Sequence, residues 1–258
     1  MDTLPVASIR SMLAAAEPDT LTELIDCFAH DSRAGVVSAI GAARRRLTRV
    51  TAENRRLDAL ASVERGLAAQ GMALIAGVDE VGRGALAGPV TAAACVLPVG
   101  LRLPRLADSK RLTPDARVFL DGEIRANAVA VGVAHVSASE IDAVGISRAT
   151  ARAMRLALQD LGLTIDHVLV DGLPVELGVE ATAVVGGDAT VRAIAAASIV
   201  AKVARDALMI ELGEEYEGYG LAVNKGYGTP GHLAILAERG PCPMHRLSFA
   251  PCAQRQLF

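Results

Sequence analysis

From Gly71 onward the chain alternates short apolar runs with helical stretches, and this alternation limits the possible folds more than any other feature. Leu74 to Val78 and Val90 to Leu97 read as strands around a glycine-rich turn, Gly82-Arg83-Gly84 to Gly88. A helix follows over about 114–126, where Thr113-Pro114-Asp115 supplies a cap, a proline in the first turn and an early acid. Ala128 to Val136 is strand-like, Ser137 to Glu140 fits a capping box, and a helix over about 147–161 leads into the short strand Val168 to Val170. Residues 181–185 form a last strand, and Asp188 precedes an Ala-rich helical run over about 190–212. Two strands followed by strand–helix alternation predict an α/β domain with a mixed sheet flanked by helices. With four Phe, three Tyr and no Trp, its core must be built from Ala, Val, Leu and Ile, and binding by a row of stacked rings is not expected.

Residues 1–70 read differently. Val6, Ile9 and Leu13 mark one helical face, and Leu21, Leu24, Ile25 and Phe28 a second. A further helical pattern runs from Val36 to Leu60 through an Arg-rich stretch, making a small all-helical region. Within residues 44–56, Arg44, Arg45, Arg46, Arg49, Arg55 and Arg56 face only Glu53, a local basic patch in a chain whose formal charge is -3. The expected organisation is a helical extension over 1–70, a main α/β domain over 71–252 and a tail over 253–258. Hydrophobic residues at 52% and charged residues at 21% exclude a disordered chain and a coiled-coil rod. Cys27, Cys95, Cys242 and Cys252 form no C-x-x-C pair and read as free thiols. Gly84 to Leu101, the longest uncharged stretch, is broken by Gly88, Pro89 and Pro98, and the N-terminus lacks the features of a signal peptide, so a cytoplasmic location without membrane contact is expected.

Asp79-Glu80 closes the first strand, and Asp171 closes a later one beside Gly172, the positions where sites on α/β sheets are found. Neighbours on a regular strand face opposite sides, so Glu80 joins Asp79 only if the strand ends or bulges there. Asp188, after two glycines and before a helix, reads first as an N-cap, a role that leaves a carboxylate oxygen for a ligand. If Asp79, Glu80, Asp171 and Asp188 meet, their repulsion requires divalent cations, and an all-oxygen set suits Mg²⁺ or Mn²⁺. A pair of such ions activates water and steadies the leaving oxygen in phosphodiester hydrolysis. Gly82 to Ala87 also matches the dinucleotide pattern G-x-G-x-x-A, but Gly88-Pro89 and the strand after it replace the helix which that fold needs.

These residues resemble type 2 ribonuclease H, ribonuclease HII. Gly77 to Val90 looks like that family's opening motif, with Ala85 where Pro or Cys is commoner. Further blocks follow in order: Asp108-Ser109-Lys110, Val170-Asp171-Gly172, Gly187-Asp188, Ala195 to Val203 with Arg205-Asp206, Lys225 to Thr229, and His245-Arg246 with Ser248 to Pro251. The helical N-terminal region resembles one carried by some bacterial members. The resemblance implies a ribonuclease H-like mixed sheet and a metal-dependent endonuclease acting on the RNA strand of RNA/DNA hybrids and on single ribonucleotides in duplex DNA. It makes Asp79, Glu80, Asp171 and Asp188 the catalytic, metal-binding carboxylates. It assigns the ribose 2′-OH to the Gly82-Arg83-Gly84 backbone, phosphates to Lys110 and Lys202, and the adjoining deoxyribose to Tyr227. The ending Gln254 to Phe258 resembles a sliding-clamp peptide, with Gln254, Leu257 and Phe258 as its anchors. A metal-free ribonuclease using His residues and the substrate's own 2′-OH, which would leave cyclic phosphate ends, and a non-catalytic nucleic-acid scaffold are the rival readings; His245 is the lone candidate for a catalytic base.

Overall fold

In the computed structural model, which describes residues 4–253, the expected strands join in one five-stranded sheet of order β3-β2-β1-β4-β5. The strands are β1 (Ile75–Val81), β2 (Val90–Val96), β3 (Ala130–Val136), β4 (His167–Asp171) and β5 (Ala181–Val184). β2 runs antiparallel to both β1 and β3, while β1 and β4, and β4 and β5, pair in parallel. The sheet is therefore mixed, as the sequence predicts, and its central strand carries Asp79 and Glu80.

Strand alternation sorts the core into two layers. Ala92, Ala94 and Val96 of β2 face a cluster with α7 (Ile146–Asp160), while Ala93 and Cys95 face α5 (Pro114–Asn127) and α9 (Arg192–Glu215). Helix α9 lies close to the sheet because both surfaces are nearly smooth. A Cβ on Gly77 of β1 would stand 2.1 Å from the Ala193 carbonyl carbon, and Ala193 to Ala201 are all buried. Small residues at this contact do what aromatic bulk does in other cores. Burial of the Cys95 thiol between these layers pushes its pKa up to about 12, and all four cysteines are unpaired.

Three boundaries differ from the sequence reading. β1 continues to Val81, paired with Thr91, because its partner β2 extends the ladder past Asp79. A short helix, α6 (Ala138–Val144), precedes α7 and carries the capping box of Ser137 and Glu140. Asp188 lies inside a one-turn helix, α8 (Gly187–Thr190), whose cap position is Gly186; it caps neither α8 nor α9 through its side chain.

Two compact units share the chain, the first ending at Ala59 and the second beginning at Leu60. The first holds α1 (Val6–Ala15), α2 (Pro18–Cys27) and almost all of α3 (Ala34–Leu60), around Ile9, Leu13, Leu21, Ile25, Val36 and Ile40. Helix α4 (Ser62–Ala69) belongs to the second, anchored by a buried ion pair in which Arg192 Nη2 lies 3.1 Å from Glu64 Oε1. Among the described residues no helix is long and apolar enough to cross a membrane.

Candidate active site

β1 and β4 stop pairing at Val78 and Val170. The next residue on each strand is an acid, so Asp79 and Asp171 stand side by side where two parallel strands part. Both lie on the face toward α9, since Val78 and Val170 pack in the opposite layer. The parting opens a pocket of about 290 Å³ bordered by Asp79, Glu80, Asp171, Lys110, Lys202 and Tyr227. Ser198, on α9, hydrogen-bonds Asp79, and its hydroxyl lies 2.9 Å from that of Ser109. Sequence reading gave these two serines no role; their place inside two of the family-like blocks was the available signal.

Glu80 corrects the expectation that the strand must end or bulge. Pairing is regular through Glu80 and Val81, so alternation directs Glu80 away from Asp79, toward the layer of its partner Ala92. It nevertheless borders the same pocket, and its carboxylate sits 3.3 Å from Arg83 Nη1. Asp188 approaches from α8: Lys110 Nζ donates to its Oδ2 at 3.1 Å, and the neighbouring Gly187 N–H donates to Asp171 Oδ1 at 2.6 Å. The structure thus gathers Asp79, Glu80 and Asp171 around the pocket, with Asp188 joined to it through Lys110.

Charge is poorly balanced here. Burial, reinforced by the charges of Glu80 and Asp171, pushes the Asp79 pKa up to about 8, against the Ser198 hydrogen bond. Burial also raises Glu80, opposed by Arg83 and aided by Asp171. The Lys110 ammonium is held in its charged form mainly by its hydrogen bond to Asp188. Among the described residues, no three acidic, His or Cys side chains converge closely enough to hold an ion as they stand. The donor set still fits a hard divalent cation: carboxylate oxygens of neighbouring elements, one of them buried with its ionised form disfavoured.

Beside the acids lies the glycine turn, followed by β2 and not by a helix, which removes the dinucleotide-binding reading. Gly82 has φ +88°, and a Cβ there would lie 2.2 Å from Arg205 Nε. The Leu86 N–H donates to the Gly226 carbonyl at 2.7 Å, coupling the turn to the loop of Tyr227. Arg205 and Lys202 sit over the Tyr227 ring, at 5.4 and 6.0 Å from its centroid, and Lys202 pairs with Asp206 at 2.7 Å. His245 is not at the pocket. It is buried, 3.0 Å from His232 Nε2, and burial beside that imidazole lowers its pKa to about 4. His232 Nδ1 in turn lies 2.9 Å from the Tyr227 carbonyl oxygen, so the histidines support the loop. Gln254, Leu257 and Phe258 lie outside the described residues.

A family model described as Ribonuclease HII matches residues 76–252, and one described as Ribonuclease HII N-terminal domain matches residues 5–68. A ribonuclease HII of Moorella thermoacetica is 51% identical over 198 residues, covering 76% of this chain and 96% of its own. Among solved structures, the ribonuclease H2 of Pyrococcus horikoshii aligns with TM-score 0.60 at 26% identity, over 70% of this chain and 96% of that one. The ribonuclease HII of Archaeoglobus fulgidus, solved as a complex with PCNA, aligns with TM-score 0.54 at 27% identity, over 64% and 87%.

Proposed function

This chain belongs to the ribonuclease HII family, and from that premise we propose that it hydrolyses the RNA strand of RNA/DNA hybrids and cuts 5′ of single ribonucleotides embedded in duplex DNA. The ends left are 3′-OH and 5′-phosphate. Ribonucleotide removal during cytoplasmic DNA replication and repair is the corresponding role.

The observation that carries this reading is the buried Asp79 beside Asp171 and Glu80 at one pocket. Asp79, Glu80, Asp171 and Asp188 would hold Mn²⁺ or Mg²⁺. Such ions, once bound, supply a water nucleophile at neutral pH and positive charge for the leaving oxygen. The chain's own residues do the rest. Ser198 and the Glu80 N–H, 2.7 Å from Asp79 Oδ1, fix the Asp79 carboxylate. Lys110 and Arg83 hold Asp188 and Glu80 in the absence of other cations. Lys110 and Lys202 border the pocket where the phosphate groups of a bound strand would lie. Tyr227 offers its ring to the sugar after the ribonucleotide, and the Gly82-Arg83-Gly84 turn offers backbone amides to the ribose 2′-OH. A clamp contact through Gln254, Leu257 and Phe258 accords with the PCNA complex of the Archaeoglobus relative.

Digestion of a duplex carrying one ribonucleotide, with the cut mapped and its ends identified, tests the proposal. A single cut 5′ of the ribonucleotide, with 3′-OH and 5′-phosphate ends and full inhibition by EDTA, is expected. Cyclic phosphate ends formed in EDTA would establish the metal-free rival instead.

A further inference from the structure

Arg246 and Arg205 are fully buried beneath the glycine turn, yet neither meets a carboxylate among the described residues. Their donors go to main-chain carbonyls. Arg246 donates to Gly88 at 3.0 Å and to Arg83 at 2.9 Å, and its Nη2 is left without a partner. Arg205 donates to Pro89 at 2.9 Å, Ala87 at 3.2 Å and Lys225 at 2.9 Å. Burying two guanidiniums together is costly: desolvation, and next the charge of Arg205, lower Arg246 to about 10. Such a pair calls for a role beyond packing.

Peptide geometry supplies one. No peptide bond among the described residues is cis, and a trans peptide holds its C=O and N–H on opposite sides. By drawing the Arg83 carbonyl inward, Arg246 turns the Gly84 N–H outward. Gly84 is exposed, its amide donates to no backbone carbonyl among the described residues, and a Cβ built on it would meet nothing within 4 Å. An unused donor thus faces open space a few residues from the acids. Arg205 holds the far side of the same turn to the Lys225 carbonyl, two residues before Tyr227.

We infer that Arg246 is a specificity-determining positioning residue, which aims the Gly84 amide at the ribose 2′-hydroxyl while Arg205 fixes the distance between that amide and Tyr227. This rests on the proposed reading that the turn recognises ribose. Loss of Arg246 should therefore weaken recognition of the hydroxyl and spare hydrolysis.

The test uses the full chain, wild type and Arg246→Lys, whose ammonium cannot reproduce the planar fork that spans two carbonyls. KM and kcat are measured on a duplex with one ribonucleotide, and Ki for an uncut duplex carrying a 2′-fluoro nucleotide at the same position. A rise in KM of about tenfold, the loss of roughly one hydrogen bond, is expected, with kcat and the Ki of the fluoro duplex each within about twofold. An unchanged KM, or KM and Ki rising together, would overturn the inference. If Arg246→Lys does not melt cooperatively, Arg205→Lys carries the same comparison, with a KM rise of about threefold expected and a parallel rise in Ki again contradicting it. Equal affinity of the wild type for both duplexes would sink the ribose-reading turn itself, a failure visible before any variant is made.

Discussion

Where β1 and β4 part, the buried Asp79 has its ionised form disfavoured by burial and by the charges of Glu80 and Asp171. A few residues along, beneath the Gly82 to Gly88 turn, two buried guanidiniums are held by five carbonyls of the main chain. Both regions bury charge without a matching counter-charge, but they resolve it differently. The basic region is held by fixed dipoles, so its geometry exists before any ligand arrives. The acidic region has few such dipoles, and its side chains turn to Ser198, Arg83 and Lys110. Under the proposed function the contrast separates two tasks: the turn that would read the ribose is preorganised, and the acids would be completed by bound ions.

The largest expected effect lies on the acidic side. Asp79→Asn should reduce cleavage by about a thousandfold or more while changing duplex affinity by less than about threefold, measured by single-turnover cleavage and by titration in EDTA. A parallel collapse of both would erase the division of labour. Next is pH. The folded chain keeps a proton on Asp79 that the unfolded chain releases, so without divalent ions stability should fall as pH rises from about 4 to 8. The limit is about 1.4 kcal/mol per pH unit. Chemical denaturation across that range reads the slope, and Asp79→Asn should flatten it. The smallest effect sharpens the basic side. Gly82→Ala places a Cβ 2.2 Å from Arg205 Nε at φ +88°, against a guanidinium locked by Pro89, and should cost about 2 kcal/mol of stability. Gly84→Ala meets no neighbour and should cost about 0.5 kcal/mol or less.

The two regions also differ in how far sequence reveals them. Asp79 and Asp171 were legible because each is the acid that follows an apolar run, and the parallel pairing of β1 with β4, ending at Val78 and Val170, sets the two side by side. The mixed sheet was legible from the same alternation. The continuation of β1 to Val81 was not, because β2 supplies the partner and local preference does not encode it. Glu80 bordering the pocket from the other side of the pleat, and Asp188 entering through α8 without capping it, are likewise products of tertiary placement. Arg205 and Arg246 were visible only as members of the family-like blocks Arg205-Asp206 and His245-Arg246, with no role attached. An arginine whose partners are carbonyls leaves no complementary acid in the sequence to show what it holds.

On the proposed function, Asp79, with the acids around it, binds divalent cations and gives up a proton to do so. Calorimetric titration of the full chain with Mn²⁺ at pH 7, in two buffers of different ionisation enthalpy, measures binding and proton release together. Mn²⁺ binding accompanied by release of up to about one proton is expected, both greatly weakened in Asp79→Asn. Binding without proton release, or binding of equal strength in Asp79→Asn, would contradict it.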